Sequence, residues 1–105
     1  MQQMLTIQED TKKDAILGAI SDRYSRIILE ATMNAPKTAL EISKEQNVPI
    51  STVYRRLQAL HDAKLLTISG SISDEGKRYF MYKSKIRQIE TSFNGSTIDV
   101  SVVPN

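Results

Sequence analysis

The stretch that decides the fold is residues 38–60, which read TALEISKEQNVPISTVYRRLQAL. Thr38, followed three residues later by Glu41, predicts a capping box at the start of a short helix. Pro49 disfavours helical geometry at Val48 and is well suited to begin the next helix. The stretch therefore predicts two short helices separated by about three residues, which is a helix-turn-helix.

The second predicted helix, residues 50–63, has an apolar face and a polar face. Its apolar positions recur at spacings of three and four, which predicts one buried stripe made of Ile50, Val53, Leu57 and Leu60. In the shorter helix before it, we expect Ala39, Leu40 and Ile42 to face the core. The polar side of the second helix offers hydroxyl, amide and guanidinium groups, which can donate to phosphates and base edges.

The segment EISKEQNVPISTVYRRLQALHDAKLL, residues 41–66, resembles the helix-turn-helix of archaeal and bacterial winged-helix regulators in the broad ArsR-like grouping. The matching features are a short helix, a turn that ends in proline, then Ser-Thr-Val and Arg ahead of paired leucines. The resemblance continues into a predicted hairpin that ends in KRYFMY, residues 77–82. It covers residues 20–85 and implies a winged helix-turn-helix fold, although some winged helices bind proteins instead of DNA.

The remaining patterns predict an α+β fold, with a three-helix core, a β-hairpin wing and additions at both ends. We expect a short edge strand at residues 4–8, a helix over 9–20 and a second helix from about 21 to 33 that buries Tyr24, Ile27, Ile28, Ala31 and Met33. The wing consists of a strand over 66–72, a turn at 73–76 and a return strand over 77–83. We read 1–105 as one domain, with an N-terminal extension (1–20), a winged-helix core (21–85) and a C-terminal hairpin (86–105).

The C-terminal hairpin is predicted from Asn94-Gly95, a strong signal for a two-residue turn between strands 86–93 and 97–103. Apolar residues alternate along both arms. Because a lone two-stranded hairpin is marginal in water, these apolar faces need a partner surface. That surface is either the chain's own N-terminal strand and helices or a second copy, and we favour a homodimer joined by the N-terminal segment and this hairpin.

The positive charge is concentrated in one part of the chain. The net charge is only +2, but residues 53–87 carry eight Lys and Arg against three Asp and Glu. Residues 1–52 carry six against seven, and residues 88–105 carry only two acids. This concentration on the second helix and the wing favours double-stranded DNA as partner. The alternative reading is that lysines only solubilise an exposed hairpin.

The resemblance implies recognition of DNA by the second helix in the major groove, with the wing on the backbone. Arg55 is the best candidate for a guanine contact, Tyr54 for a phosphate or a thymine methyl, and Arg56 for a phosphate. For three residues a structural role stays open: Thr38 as a helix cap, Tyr54 packed on a neighbouring helix, and Arg56 paired with an internal acid. The full predicted contact set is Thr38, Ser51, Thr52, Tyr54, Arg55, Arg56, Gln58, Lys77 and Arg78.

A dimer would hold two such helices about 34 Å apart and read a roughly palindromic site, with promoter occlusion and hence repression as the default consequence. The alternative function is a winged-helix protein-interaction module that does not bind DNA. Neither the operator sequence nor an effector can be read from the residues.

Other classes of function find little support in the composition. The chain has no cysteine and a single histidine, His61, so we expect no metal site, no cofactor and no enzymatic activity. Apolar runs are only a few residues long and nothing resembles a signal peptide, so we expect a cytoplasmic, nucleoid-associated protein without a membrane span.

Overall fold

The computed structural model describes residues 3–105. Within that range the chain has a mixed α+β fold of four helices and five strands. In chain order these are β1 (Leu5–Thr6), α1 (Asp10–Ser21), α2 (Arg23–Ala31), α3 (Ala39–Gln46), α4 (Ile50–Asp62), β2 (Leu66–Ile72), β3 (Arg78–Ser84), β4 (Ile86–Phe93) and β5 (Ile98–Pro104). The bounds of α4, β2 and β3 lie within one residue of the predicted ones, and α3 begins directly after its predicted cap, Thr38.

The turn between α3 and α4 has the predicted length of three residues, 47–49. Asn47 ends α3 in the left-handed conformation (φ 53°), which asparagine tolerates better than most residues. The Ser43 hydroxyl donates to the Val48 carbonyl at 2.6 Å, and Val48 itself is buried. The turn is therefore fixed both by hydrogen bonds and by an apolar anchor in the core.

The strands form two separate antiparallel sheets. β2 and β3 form a two-stranded hairpin, and the other sheet has the order β1-β5-β4. The β2–β3 turn depends on Gly76 (φ +81°), whose N–H donates to the Ser73 carbonyl at 2.9 Å. An L side chain rarely adopts that φ, so glycine is required there.

The core lies between the helices and the three-stranded sheet. It contains Val53, Leu57 and Leu60 of α4, as predicted, and it continues into Val100 and Val102 of β5. The apolar face of the C-terminal hairpin is thus partnered by the chain's own helices and N-terminal strand. This is the internal alternative of the two that the sequence left open, and a dimer remains a prediction.

Several burial predictions are wrong. Leu40 is 55% exposed and Ile50 is 38% exposed, because Ala39, Ile42 and Val48 take the core positions around them. Tyr24 lies at the surface, since the buried stripe of α2 is one position later than predicted. That stripe consists of Ser25, Ile28, Leu29 and, just after the helix, Thr32.

The C-terminal hairpin turn is also displaced from its predicted position. Phe93 pairs with Ile98, and the Asn94 N–H donates to the Thr97 carbonyl at 3.2 Å, so Gly95 and Ser96 are the central residues. Asn94 stands before the apex because its side-chain Oδ1 accepts the N–H groups of Ser96 and Thr97. This is the local bonding by which asparagine initiates turns.

Candidate nucleic-acid interface

The outward face of α4 is the first part of the candidate site. Ser51, Arg55 and Gln58 are exposed and lie opposite the buried stripe of the helix. Arg55 forms no intramolecular ion pair within residues 3–105, whereas the Gln58 amide donates to Asp62 at 3.0 Å. The guanidinium of Arg55 is therefore available to a ligand, and Gln58 is available only if its contact with Asp62 opens.

The two flanks of α4 differ in what they face. Thr52 and Arg56 are half-buried on one flank, and Tyr54 is 55% exposed on the other. Tyr54 lies toward α3 and the β2–β3 hairpin, and Arg56 lies toward α1 and α2. The Tyr54 flank of α4 is thus more exposed, and the flank with Thr52 and Arg56 packs toward the rest of the domain.

Arg56 is half-buried and faces the rest of the domain. Its Nε lies 2.9 Å from Oδ2 of Asp22, with the contact bent away from an aligned hydrogen bond, so the two groups form an ion pair. Asp22 also caps α2 by accepting the Ser25 N–H at 2.8 Å. Arg56 thus has the structural role that the sequence left open, and its phosphate contact stays a prediction.

The charge state of Asp22 reflects these contacts. Burial raises its pKa, but the hydrogen bonds from Ser25 together with the charges of Arg56 and Arg26 outweigh that effect. The net result is a pKa below the ordinary value of 3.8, so the carboxylate stays ionised and keeps both its partners at neutral pH.

Thr38 has the predicted capping role. Its hydroxyl accepts the Glu41 N–H at 3.1 Å, and the Glu41 carboxylate accepts the Thr38 N–H at 3.0 Å. Hydrogen bonding by Thr38 to this carboxylate, aided by the charge of Lys37, holds the pKa of Glu41 below its usual value. A phosphate would have to compete with this carboxylate for the Thr38 N–H, so a phosphate contact by Thr38 stays a prediction.

Thr38, Tyr54 and Arg78 are brought together around one surface depression, which we call the α3–β3 hollow. It has a volume of about 350 Å³ and is bounded by α3, α4 and the β2–β3 hairpin. Its other lining residues are Ala39, Leu40, Tyr79, Phe80 and Tyr82. Burial, with a smaller effect of Tyr54, raises the pKa of Tyr82, which keeps its hydroxyl neutral.

The apolar part of the α3–β3 hollow was missed by the sequence analysis. Leu40 is 55% exposed and Phe80 is 58% exposed. A signal for Leu40 existed, because it lies one residue from Ala39 and two from Ile42, and so cannot share their helical face. Phe80 shares its face of β3 with Arg78, which also argued against burial.

Lys77 and Arg78 are exposed at the tip of the β2–β3 hairpin, and neither side chain has an ion-pair partner in the described part of the chain. Arg78 is opposite Ile72 in the β2–β3 register. Residues 3–105 contain no cluster of three or more potential metal-ligating side chains and no helix long and apolar enough to cross a membrane.

Comparison with known proteins shows a similarity of fold. No protein-family model and no curated protein matches the chain. The solved structure of a possible transcriptional regulator from Methanosarcina mazei Go1 is similar, with a TM-score of 0.55 and 21% sequence identity. The match covers 75% of this chain and 72% of that one. At this level of identity the likeness concerns the fold.

Proposed function

We propose that this chain is a DNA-binding transcriptional regulator of the winged helix-turn-helix type. In this proposal α4 enters the major groove, and the β2–β3 hairpin is the wing, which contacts the flanking backbone. The observation that carries the proposal is the set of unpaired cationic side chains on the outward face of α4 and at the hairpin tip, namely Arg55, Lys77 and Arg78. The fold likeness to a possible transcriptional regulator supports the same class of function.

The contacts divide into two kinds. Arg55 presents a planar guanidinium that suits the O6 and N7 atoms of guanine, and Ser51 and Tyr54 lie on the same open side of the helix. Lys77 and Arg78 neutralise phosphates and orient the protein without reading sequence. Arg56 is secondary in this proposal, because its Nε forms an ion pair with Asp22.

The proposal is tested by fluorescence anisotropy on a selected duplex and a random duplex across a salt series. We expect Arg55→Ala to weaken the selected duplex by about 1–3 kcal/mol and to reduce the preference over random DNA. Lys77→Ala should weaken both duplexes alike and lower the salt slope by about one. Arg55→Lys separates the two effects, since it keeps the charge but loses the bidentate geometry.

Lys12→Ala is the matched control for Lys77→Ala, because Lys12 is also an exposed lysine but lies on α1, away from the proposed interface. It should leave affinity nearly unchanged. An affinity weaker than about 10⁻⁴ M for every duplex at low salt would rule out the DNA-binding proposal.

A second candidate function, a protein-interaction module, is favoured by the exposed apolar residues of the α3–β3 hollow. An apolar patch at this position suits a partner protein as well as a nucleic acid. In that case Phe80→Ser should abolish capture of a partner chain, while the wild-type protein shifts no duplex. Duplex binding by the wild-type protein at physiological salt decides for the first function.

A further inference from the structure

The long strand β4 has one open edge. In the three-stranded sheet the order is β1-β5-β4, so β4 pairs with β5 on one side only. Within residues 3–105 no backbone hydrogen bond joins the other side of residues 89–93 to another element. This edge is a surface at which a further strand can add.

The hydrogen-bond pattern tells which backbone groups lie along that edge. The bond from Asn94 N–H to the Thr97 carbonyl makes those two residues a hydrogen-bonded pair. Because such pairs alternate along an antiparallel ladder, Thr91 and its partner Val100 form a pair without mutual bonds. The Val100 carbonyl accordingly accepts the Ile7 N–H at 2.8 Å, on the β1 side of β5. The N–H and C=O groups of Ile89, Thr91 and Phe93 therefore point to the open edge of β4.

This edge has little of the protection that proteins usually give to such strands. A bulge at Arg87 interrupts the ladder near the start of β4. Beyond it, residues 88–93 read QIETSF, with no proline, no lysine and the single charge of Glu90. Proline, lysine and other charged residues commonly protect natural edge strands from pairing with other chains. An edge without them favours pairing with another strand.

The side chains of the edge are complementary to themselves. Phe93 is 72% exposed, and Ile89 is half-buried against the core. Both lie on the same face as Val100 and Val102, which form the inner side of the sheet. An antiparallel two-fold pairing centred on Thr91 sets Phe93 opposite Ile89 of the partner subunit, and Glu90 opposite Ser92 of the partner subunit. In this register each outward N–H of Ile89, Thr91 and Phe93 faces a C=O of the partner subunit, and no two like charges are directly opposed.

We propose that two copies of this chain dimerise by antiparallel pairing of β4 with β4, centred on Thr91. The pairing joins two three-stranded sheets into one of six strands. A second copy is the occupant because the register is self-complementary, as an isologous two-fold interface requires. The exposed Phe93 then packs beside the core of its partner. Under the proposed function, recognition of a palindromic DNA site requires a dimer, and this pairing provides one. The dimer itself does not depend on DNA binding.

Thr91→Pro tests the proposal at the centre of the interface. Proline removes the outward N–H of Thr91 but none of the bonds between β4 and β5, and it is tolerated at edge positions of this kind. In sedimentation velocity without DNA, we expect wild type and the Thr91→Ala control to have twice the chain mass of 11.8 kDa, and Thr91→Pro to have the mass of one chain. The helical far-UV circular dichroism of Thr91→Pro should match that of wild type. A monomeric wild type, or a dimer that survives Thr91→Pro, overturns the assignment.

A cysteine at position 91 tests the register of the pairing without introducing a proline. The chain contains no cysteine, so Thr91→Cys introduces its only thiol. Directly opposed hydrogen-bonded residues have Cα atoms about 5.5 Å apart, which is within the usual span of a disulfide. We expect mild oxidation to link Thr91→Cys chains covalently and to leave Ser96→Cys, an exposed turn residue, unlinked. Equal linkage of both variants contradicts the two-fold axis at Thr91.

The outcomes separate this inference from the proposed function. A dimer through β4 that binds no duplex leaves the inference intact and removes the DNA-binding function. A concentration of about 100 μM is high for a specific interface. If the chain binds duplex DNA but stays monomeric at that concentration, the β4–β4 dimer is wrong and the proposed DNA-binding function stands.

Discussion

Arg55 and Arg56 are adjacent in the sequence, yet they have opposite surroundings. One is exposed on the outward face of α4, and the other forms an ion pair with Asp22 across the domain. A charge count treats them alike, and helical periodicity only places Arg56 on a flank. The partner could not be predicted, because it lies at the start of a different helix and is brought close only by packing. The same holds for Leu40 and Phe80, which meet in the α3–β3 hollow from separate elements.

We predict that Asp22 stabilises the fold in a pH-dependent way. Because the pKa of Asp22 is lowered in the folded state, its carboxylate takes up a proton at a higher pH in the unfolded state than in the folded state. The stabilisation is therefore fully present above about pH 4, the unfolded pKa of Asp, and is lost as the pH falls through the lower folded value. Asp22→Asn keeps a side chain that can cap α2 but removes the charge, so its free energy of unfolding should fall below that of wild type at pH 7 and converge with it once the pH is below the folded-state pKa of Asp22.

Urea unfolding at pH 7 and at low pH measures this difference. Asp22→Ala serves as the comparison, since it removes the cap as well, and it should be destabilised by about a further 1 kcal/mol at neutral pH. A difference between wild type and Asp22→Asn that does not change with pH would show that the charge of Asp22 does not stabilise the fold.

At the scale of elements, the sequence predicted α3, α4, β2 and β3 well, because strong local signals coincide there. The capping box, the proline after Val48 and the Ser-Asp-Glu-Gly turn each act over a few residues. The predictions failed where polar groups substitute for apolar ones. In α2 the buried stripe includes Ser25 and Thr32, whose hydroxyl donates to the Ile28 carbonyl at 2.9 Å, so a search for apolar spacing selects the wrong face.

We predict that Gly18→Ala stabilises α1. Gly18 lies inside the helix, and a methyl group added there meets no atom within 4 Å. Alanine restricts the unfolded chain more than glycine does, so the free energy of unfolding should rise by about 0.5–1 kcal/mol. Urea titration followed by circular dichroism measures the change.

Gly76→Ala is the matched control for this substitution. Gly76 also has open space around it, but its φ of +81° is unfavourable for an L side chain, so the same added methyl group should destabilise the protein. A loss of stability in Gly18→Ala comparable to that in Gly76→Ala would contradict the prediction.

The whole molecule is elongated, with extents of 54 × 30 × 20 Å. Its two hairpins are formed by neighbouring strands, whereas the contact between β1 and β5 joins Leu5 to Val102. The sequence predicted both the N-terminal strand and the C-terminal hairpin but left their relation open. Alternating patterns give the face of a strand and not its neighbour, so the internal pairing could be decided only by the three-dimensional arrangement.

The pairing of β1 with β5 has a consequence for the order in which the protein folds. Contacts between residues far apart in the chain carry a larger loop-closure entropy than local ones, so they form late. The helices and the β2–β3 hairpin can assemble before Leu5 meets Val102. The Ile7 amide donates to the Val100 carbonyl. We therefore predict that the free energy of the opening that exposes the Ile7 amide to hydrogen exchange is lower than that for the Leu57 amide in α4.

Native-state hydrogen exchange at increasing urea tests this order. Equal opening free energies for the two amides would mean that the sheet and the helices unfold as one unit. If the order holds, the edge of β5 that pairs with β1 is covered late in folding. Until then this edge is exposed to other chains, so the interval before β1 docks is when this protein is most vulnerable to aggregation.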